Sequence, residues 1–175
     1  METAIANANN LAAAFIGELQ HEAETTRKIL ERIPEDKFDW KLHEKSMPFS
    51  HLATHVAEII YWWMKIPLTT AELDFAVQEY KSPDLKTNAE LLEYFDKNIA
   101  GAIEALKNTS DEAMMETWTV RNGEQIYFEK PRTQVLRADC LNHFIHHRGQ
   151  LSVYLRLNDI PVPGIYGPSA DEGAM

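Results

Sequence analysis

The chain has 175 residues, of which 45% are hydrophobic and 25% charged, and its 17 basic and 27 acidic side chains give a formal net charge of -10. This length and composition fit a single soluble globular domain with a sizeable core. The acidic balance argues against a nucleic-acid partner and against docking on anionic lipid, since both need a basic surface. We therefore predict one domain over residues 1–175, with neither a nucleic-acid nor a membrane partner.

The cysteine content and the N-terminus indicate a reducing compartment. Cys140 is the single cysteine, which excludes an intramolecular disulfide and a cysteine-based zinc site. The first residues, METAIANANNLAAAF, lack the basic region of a secretory signal peptide. The longest apolar run is interrupted by Glu58 and Lys65 and is shorter than the ~20 residues of a membrane span. We predict a cytoplasmic protein in which Cys140 is an inert core thiol.

Two helices are predicted in the first third of the chain. Apolar residues recur at helical spacing over residues 3–33, and Pro34 ends that run. After a polar connection, Ser46 is placed to cap a second helix that tolerates Pro48 in its first turn. This helix is predicted to stop before Pro67, because the residue before a proline disfavours helical geometry.

The middle of the chain predicts a long connection and then a third helix. A short helix is predicted within this connection, around residues 71–79. Thr87 and Glu90 then form a capping-box pattern that opens a long helix through Leu106. Short loops join antiparallel neighbours, so a connection of this length permits a crossover in which helices two and three run parallel.

The last third predicts a turn, a helix and an extended tail. Asn122-Gly123 lies between β-prone residues, a pattern typical of a turn or a small hairpin. Pro131 can begin the last long helix, which reaches about Asn158. Prolines and glycines then predict an extended tail from about residue 159. We therefore predict an all-α fold, built as a four-helix bundle.

Three of the seven histidines lie in NHFIHHRGQL, the stretch from Asn142 to Leu151. An α-helix turns by ~100° per residue, so His143 and His147 share one face about one turn apart. That spacing lets two imidazoles bind one metal ion. Asp139 lies one turn before His143 and can orient a ring by hydrogen bonding. His146 points elsewhere and is a bystander or a helper at the edge of the site.

A third ligand is expected from another helix. His51 and His55 repeat the same spacing, and His55 lies beside Val56 and below Ile59 on the inward stripe of its helix. His51 lies in the first turn, nearer to solvent, so we favour His55. Three histidines leave a coordination position open, which is typical of catalytic metal sites. That position can take water or a substrate thiolate.

Other interpretations of these residues stay open at this point. Histidines on an apolar face are also found as hydrogen-bonded core residues, so a structural bundle with buried neutral histidines is an alternative. The pattern is not His-Glu-x-x-His, which excludes a metalloprotease of that type. His21 and His43 have no partner at a useful spacing and are predicted to lie on the surface.

Several neighbouring residues carry separate predictions. Tyr61, Trp62 and Trp63 point in three directions, so at least one is expected to face outward and support self-association. Arg148 is predicted to form a surface salt bridge, with a substrate carboxylate as the alternative partner. Gly149 is predicted to allow the close approach of a neighbouring helix. Gln150 is predicted to hydrogen-bond within the core.

Four stretches resemble the DinB/YfiT-like family of metalloenzymes, in the same order and over nearly the whole chain: ERIPEDKFDWKLHEKSM, ATHVAEI, NHFIHHRGQL and VPGIYGPSADE. The resemblance implies a four-helix bundle with up-down-down-up topology. It also implies a divalent metal, nickel or zinc, held by His55, His143 and His147, with His51 and His146 outside this triad. Homodimers are common in such proteins, so a homodimer is expected.

The resemblance implies a range of functions rather than a single activity. The wider family includes S-transferases that use bacillithiol, mycothiol or glutathione, a mycothiol-dependent isomerase, and members without a known activity. We expect a metal-dependent transferase or hydrolase, and specifically a thiol-dependent S-transferase acting on small electrophiles. The alternative is a metal-binding or stress-linked interaction protein without turnover.

Overall fold

Helices form most of residues 10–173, the part of the chain that the computed structural model describes. Two of the helical runs contain wider π-helical turns. The elements in chain order are α1 (Asn10–Leu30), a 3-10 turn (Glu35–Lys37), α2 (Phe49–Ile60), a π-helical segment (Tyr61–Lys65), α3 (Ile66–Thr69), β1 (Glu72–Asp74), α4 (Asn88–Lys107), α5 (Asp111–Met115), β2 (Thr117–Asn122), β3 (Gln125–Pro131), α6 (Arg132–Gln134), a second π-helical segment (Val135–Asn142) and α7 (His143–Leu157).

The first helix is shorter than predicted at its C-terminal end. α1 ends at Leu30 and is followed by a turn, so it stops three residues before the predicted boundary at Ile33. The predicted start at Thr3 lies outside the described residues. Leu19, Ile29 and Leu30 are completely buried on one side of α1, as the helical spacing of apolar residues predicts.

Two predictions about the second helix are wrong. Ser46 does not cap it: Pro48 precedes the first helical residue, and no side chain caps this end. The helical run also continues past Pro67 to Thr69. In the π-helical segment before α3, the backbone N–H of Ile66 bonds to the carbonyl of Tyr61, one residue further back than in an α-helix. The ring of a proline inside an α-helix clashes with the preceding turn, and the wider π-helical turn makes room for the ring of Pro67.

A small sheet replaces the short helix predicted around residues 71–79, and the all-α prediction is therefore wrong in this detail. β1 pairs with β2 in parallel, with Leu73 opposite Val120, and β2 pairs with β3 in antiparallel. Leu73 is buried in this position. Burial against a distant strand outweighs the local helical pattern, since intrinsic propensity is a weak determinant of secondary structure.

The predicted hairpin is confirmed, although its turn is displaced by one residue. Asn122 and Gln125 are the last paired residues, so Gly123 and Glu124 form the turn. Gly123 has a φ of 59°, in the left-handed region that favours glycine.

The capping box at the start of the third long helix is confirmed. The side chain of Thr87 accepts a hydrogen bond from the backbone N–H of Glu90, whose own side chain accepts from the backbone of Thr87. α5, which was not predicted, begins in the same way, since Ser110 accepts from the backbone N–H of Ala113.

The last helical run begins directly after Pro131 and ends at Leu157, close to both predicted boundaries. Its second π-helical segment was not predicted. Residues 159–173 contain no helix or strand, as the proline and glycine content of this tail predicts. Ile160, Val162 and Ile165 anchor the tail by packing against the main core.

One main core lies where the long helices meet. α1 packs against α4 and α7, and α2 packs against the same two helices. Phe95 of α4 and Phe144 of α7 stack there at a centroid distance of 6.2 Å. A smaller core under the sheet contains Leu73, Trp118, Val120 and Val135. The up-down-down-up order of the helices stays a prediction.

No helix among residues 10–173 combines the length and the apolar character that crossing a membrane requires.

Candidate metal centre

Three histidines from two helices meet between α2 and α7. His55, His143 and His147 each offer one ring nitrogen, and these three atoms lie within 4.8 Å of one another. Nε2 of His55 is 3.3 Å from Nε2 of His143. Nitrogens bound tetrahedrally at ~2.0–2.1 Å from one zinc ion lie about 3.3 Å apart. The cluster could therefore hold a divalent metal ion.

Each imidazole also has a hydrogen-bonding partner outside the cluster. Nδ1 of His147 lies 2.7 Å from the amide oxygen of Gln150, and Nδ1 of His55 lies 3.4 Å from a carboxylate oxygen of Glu58. Both oxygens accept, so Nδ1 carries the hydrogen in each ring and Nε2 keeps its lone pair. His143 hydrogen-bonds with the backbone of Asp139. Such outer partners fix the orientation of metal-binding histidines.

Burial keeps two of the rings in the neutral form. It is the main cause that lowers the pKa of His147 to about 4, and the nearby His55 and His143 lower this pKa further, while the bond to Gln150 opposes the shift. The pKa of His143 is also lowered, first by burial and then by His55. At neutral pH these rings have free lone pairs, the form in which imidazole binds a metal.

Glu58 is the clearest site residue that the sequence did not indicate. It is buried, and its carboxylate accepts hydrogen bonds from the hydroxyl groups of Tyr80 and Ser82 as well as facing His55. The available signal was its position three residues after His55 in an otherwise apolar run, since residues three apart share a helix face.

The remaining predicted residues are not members of the cluster, although the ring of His146 lies at its edge, 4.8 Å from that of His147. His51 and His146 are exposed and do not belong to the cluster of three. The carboxylate of Asp139 pairs with Nζ of Lys130 at 2.7 Å, so the predicted orienting contact with an imidazole is wrong for its side chain. The π-helical segment explains this difference, because its wider turns change the angular relation between Asp139 and His143.

The predictions for the three residues after His147 are wrong. Arg148 is 1% exposed and pairs with Glu22, itself buried on α1, so its salt bridge is buried rather than on the surface. Among the described residues, nothing lies within 4 Å of the position of a Cβ atom on Gly149, so none of the described helices approaches it closely. Gln150 is exposed rather than in the core, and its partner is His147.

The other predicted residues are placed as follows. Cys140 is completely buried, as predicted, and burial raises the pKa of its thiol. His21 and His43 are exposed, also as predicted. Tyr61, Trp62 and Trp63 are each partly buried, so none is fully exposed, and the self-association expected from them stays a prediction. The ring of Tyr80 lies 5.4 Å from that of Trp62, and the ring of Phe128 on β3 lies 6.3 Å from that of Trp63.

Comparison with known proteins gives one consistent result. The sequence model of the DinB family matches residues 6–174. The uncharacterised protein YrdA of Bacillus subtilis strain 168 is 26% identical over 166 residues, which cover 91% of this chain and 90% of YrdA.

Two solved structures of DinB-like proteins share the fold. One, from Bacillus cereus ATCC 10987, has a TM-score of 0.67 and 20% identity, and the match covers 88% of this chain and 97% of that one. The other, YjoA from Bacillus subtilis, has a TM-score of 0.69 and 16% identity over 89% of this chain and 99% of that one.

Proposed function

Since this chain belongs to the DinB family, we propose that its histidine cluster binds one divalent metal ion and serves a thiol-dependent S-transferase acting on small electrophiles. The observation that carries the proposal is the convergence of His55, His143 and His147, with ligand nitrogens within 4.8 Å of one another. Imidazole ligands suit nickel and zinc. Three protein ligands leave a position for an exogenous molecule.

The residues of the chain prepare this site in two ways. Burial keeps His143 and His147 neutral, so their lone pairs are available at physiological pH. Gln150 and Glu58 hold the rings of His147 and His55 by their Nδ1 atoms. When bound, a divalent cation supplies a Lewis acid that lowers the pKa of a thiol or water in the open position.

The proposed reaction joins a thiol to an electrophilic carbon. The S–H bond breaks and its proton passes to solvent, while the sulfur electron pair forms a new C–S bond. The bond from carbon to the leaving group breaks, and the leaving group departs as an anion with the bonding electron pair. The products are a thioether, the anion and a proton, without net oxidation or reduction.

The test uses protein purified without a histidine tag and loaded with nickel or zinc. We expect one ion per chain, and turnover of 1-chloro-2,4-dinitrobenzene with glutathione, bacillithiol or mycothiol. His55→Ala, His143→Ala and His147→Ala should each lose both properties, whereas the matched variant His146→Ala should keep both. Metal retained in all three cluster variants would exclude the site, and bound metal without turnover with any thiol would favour a non-catalytic metal-binding protein.

We propose in addition a cytoplasmic homodimer with a small-molecule substrate. Exposed apolar side chains on the sheet support self-association, since Ile126 and Tyr127 of β3 are each more than half exposed. Light scattering coupled to size-exclusion chromatography should give twice the chain mass. The mass of a single chain at micromolar concentration would contradict the dimer.

A further inference from the structure

An aromatic pocket opens beside His55. Its volume is about 260 Å³, and its walls include Trp62, Trp63, Phe75 and Tyr80. An apolar protein cavity of ~150 Å³ can bind benzene, so this pocket has room for one substituted aromatic ring. The edge-to-face contact between Trp62 and Tyr80 leaves the remaining ring surfaces to pack against such a guest.

The polar groups of the aromatic pocket disfavour an anion. Glu58 is the only charged side chain among the described residues that line it. Its carboxylate is already hydrogen-bonded to Tyr80 and Ser82, and burial is the main cause that raises the pKa of Tyr80 to about 12. Tyr80 therefore keeps its proton at neutral pH, and a second negative charge here would face a buried carboxylate.

A second cavity, of about 460 Å³, lies beside His147 and has the opposite charge character. Lys45 is the only charged side chain among the described residues that line it, and the amide of Gln150 adds a further polar group. Charge complementarity thus favours an anionic group beside Lys45. This cavity is called the polar pocket, although apolar side chains such as Leu42 and Val153 also line it.

The two pockets lie on opposite sides of the histidine cluster. Leu52 lines the polar pocket and Trp62 lines the aromatic pocket, and these residues are about 15 Å apart along a helix at 1.5 Å per residue. His55 lies between them on α2. No described residue lines both pockets, so a ligand in each could reach the cluster at the same time.

We propose that the two pockets divide the substrates: the aromatic pocket binds an uncharged aromatic ring of the electrophile, and the polar pocket binds a carboxylate-bearing thiol. This inference rests on the proposed transferase function. Sulfur and electrophilic carbon then approach each other at the cluster from opposite sides, which is the orientation that a displacement needs.

The test measures binding to the metal-free protein, so that it does not depend on turnover. The probes are 1,3-dinitrobenzene, which lacks a leaving group, and S-methylglutathione, which lacks a free thiol. Phe75→Ala should weaken the first probe about fivefold through the lost ring contact, and Lys45→Glu should weaken the second about fivefold through charge repulsion. Each variant should leave the affinity for the other probe within about twofold, as measured by ligand-observed NMR titration.

A competition measurement on the unmodified chain makes the test independent of how the variants fold. We expect that saturation with one probe leaves the affinity for the other unchanged. Mutual displacement of the probes, or failure of either probe to bind, would overturn the division of substrates. If the probes displace each other while the metal-loaded protein still turns over, this inference fails and the proposed function stands. Independent binding without turnover overturns the proposed function instead.

Discussion

His147 and Arg148 are neighbours in the chain, yet they belong to two polar clusters of opposite character. Arg148 is buried, and its guanidinium donates to the carboxylate of Glu22 at 2.5 Å and to the hydroxyl of Tyr166 at 2.5 Å. Tyr166 in turn donates to Glu22. This cluster joins α7, α1 and the C-terminal tail, and the charges of Arg148 and Glu22 are paired within it.

The cluster around His147 has the opposite arrangement, because its nitrogen acceptors face one another rather than a paired charge. Its outer nitrogens are bonded to the protein, whereas the nitrogens of His55 and His143 that face inward approach each other at 3.3 Å. Two acceptor nitrogens at this distance need a shared proton or a cation between them. A cluster with paired charges stabilises the fold, while one whose acceptor nitrogens converge could hold a metal ion.

The largest effect expected from this comparison is on stability, at the cluster of Glu22, Arg148 and Tyr166, which is called the closed cluster here. Arg148→Ala leaves Glu22 buried without its cation and should lower the free energy of unfolding by about 3–5 kcal/mol. Urea unfolding measures this change. The matched control is Arg156→Ala on the same helix, whose pair with Asp171 is half exposed on the arginine side and should contribute about 1 kcal/mol or less. Equal losses in the two variants would remove the distinction between a buried and an exposed pair.

The next effect concerns ligand-dependent stability, at the open cluster. Zinc or nickel at ~100 times its dissociation constant should raise the free energy of unfolding by about 2.7 kcal/mol, because only the folded state assembles the three histidines. Thermal unfolding with and without the ion gives the shift. His147→Ala should remove it and His146→Ala should retain it. Stabilisation of the His147→Ala protein by the same ion would show that the metal binds elsewhere.

A smaller effect is expected from the outer partner of His147. Gln150→Ala removes the acceptor that fixes the ring and should weaken metal binding about 10–100-fold. Competition with a chromophoric chelator measures the affinity. Gln20→Ala serves as the control, since Gln20 is exposed on α1, and its affinity should equal that of the unmodified protein. An unchanged affinity in Gln150→Ala would mean that the orientation of the ring does not depend on this bond.

The smallest effect is a dependence of stability on pH in the metal-free protein. The pKa of His147 is lowered from 6.5 to about 4 and that of His143 is also lowered, so the unfolded chain binds more protons than the folded chain between these pH values. The free energy of unfolding should therefore be highest above pH ~6.5 and fall as the pH decreases toward 4. Urea unfolding at stepwise pH measures the slope, and His147→Gln should make it shallower. If the stability of His147→Gln depends on pH with the same slope as that of the unmodified protein, the lowered pKa of His147 is contradicted.

Periodicity predicted the long helices, although the cap predicted at Ser46 and the ends of the first two helices were wrong. The capping box at Thr87 and the helix start after Pro131 depend on side chains a few residues away, so the local sequence contains the required information. The sequence around Glu72–Asp74 does not contain the information that predicts a strand there. This strand forms by pairing with β2, residues 117–122, far along the chain. The two π-helical segments were also missed, since no simple residue pattern predicts a wider turn.

The candidate site was partly predictable for the same reason. The i,i+4 spacing selected His143 and His147 on one helix, and the inward stripe of the second helix favoured His55 over His51. Arg148 was wrongly predicted to lie on the surface, because its position on α7 does not show which element covers it. In the structure, α1 and the C-terminal tail cover it. Glu58 and Gln150 were not identified as partners because their roles depend on where the imidazoles point.

The sequence by itself determined the positions of the long helices, the turn near Gly123 and the histidines that share a helix face, because each follows from backbone geometry over a few residues. The tertiary structure alone decided that the three histidines converge, that Arg148 is buried against Glu22, and that pockets of different charge lie on either side of the cluster. These features depend on how distant segments pack. A side chain acquires its burial, its partners and its pKa only from the elements that surround it in the fold.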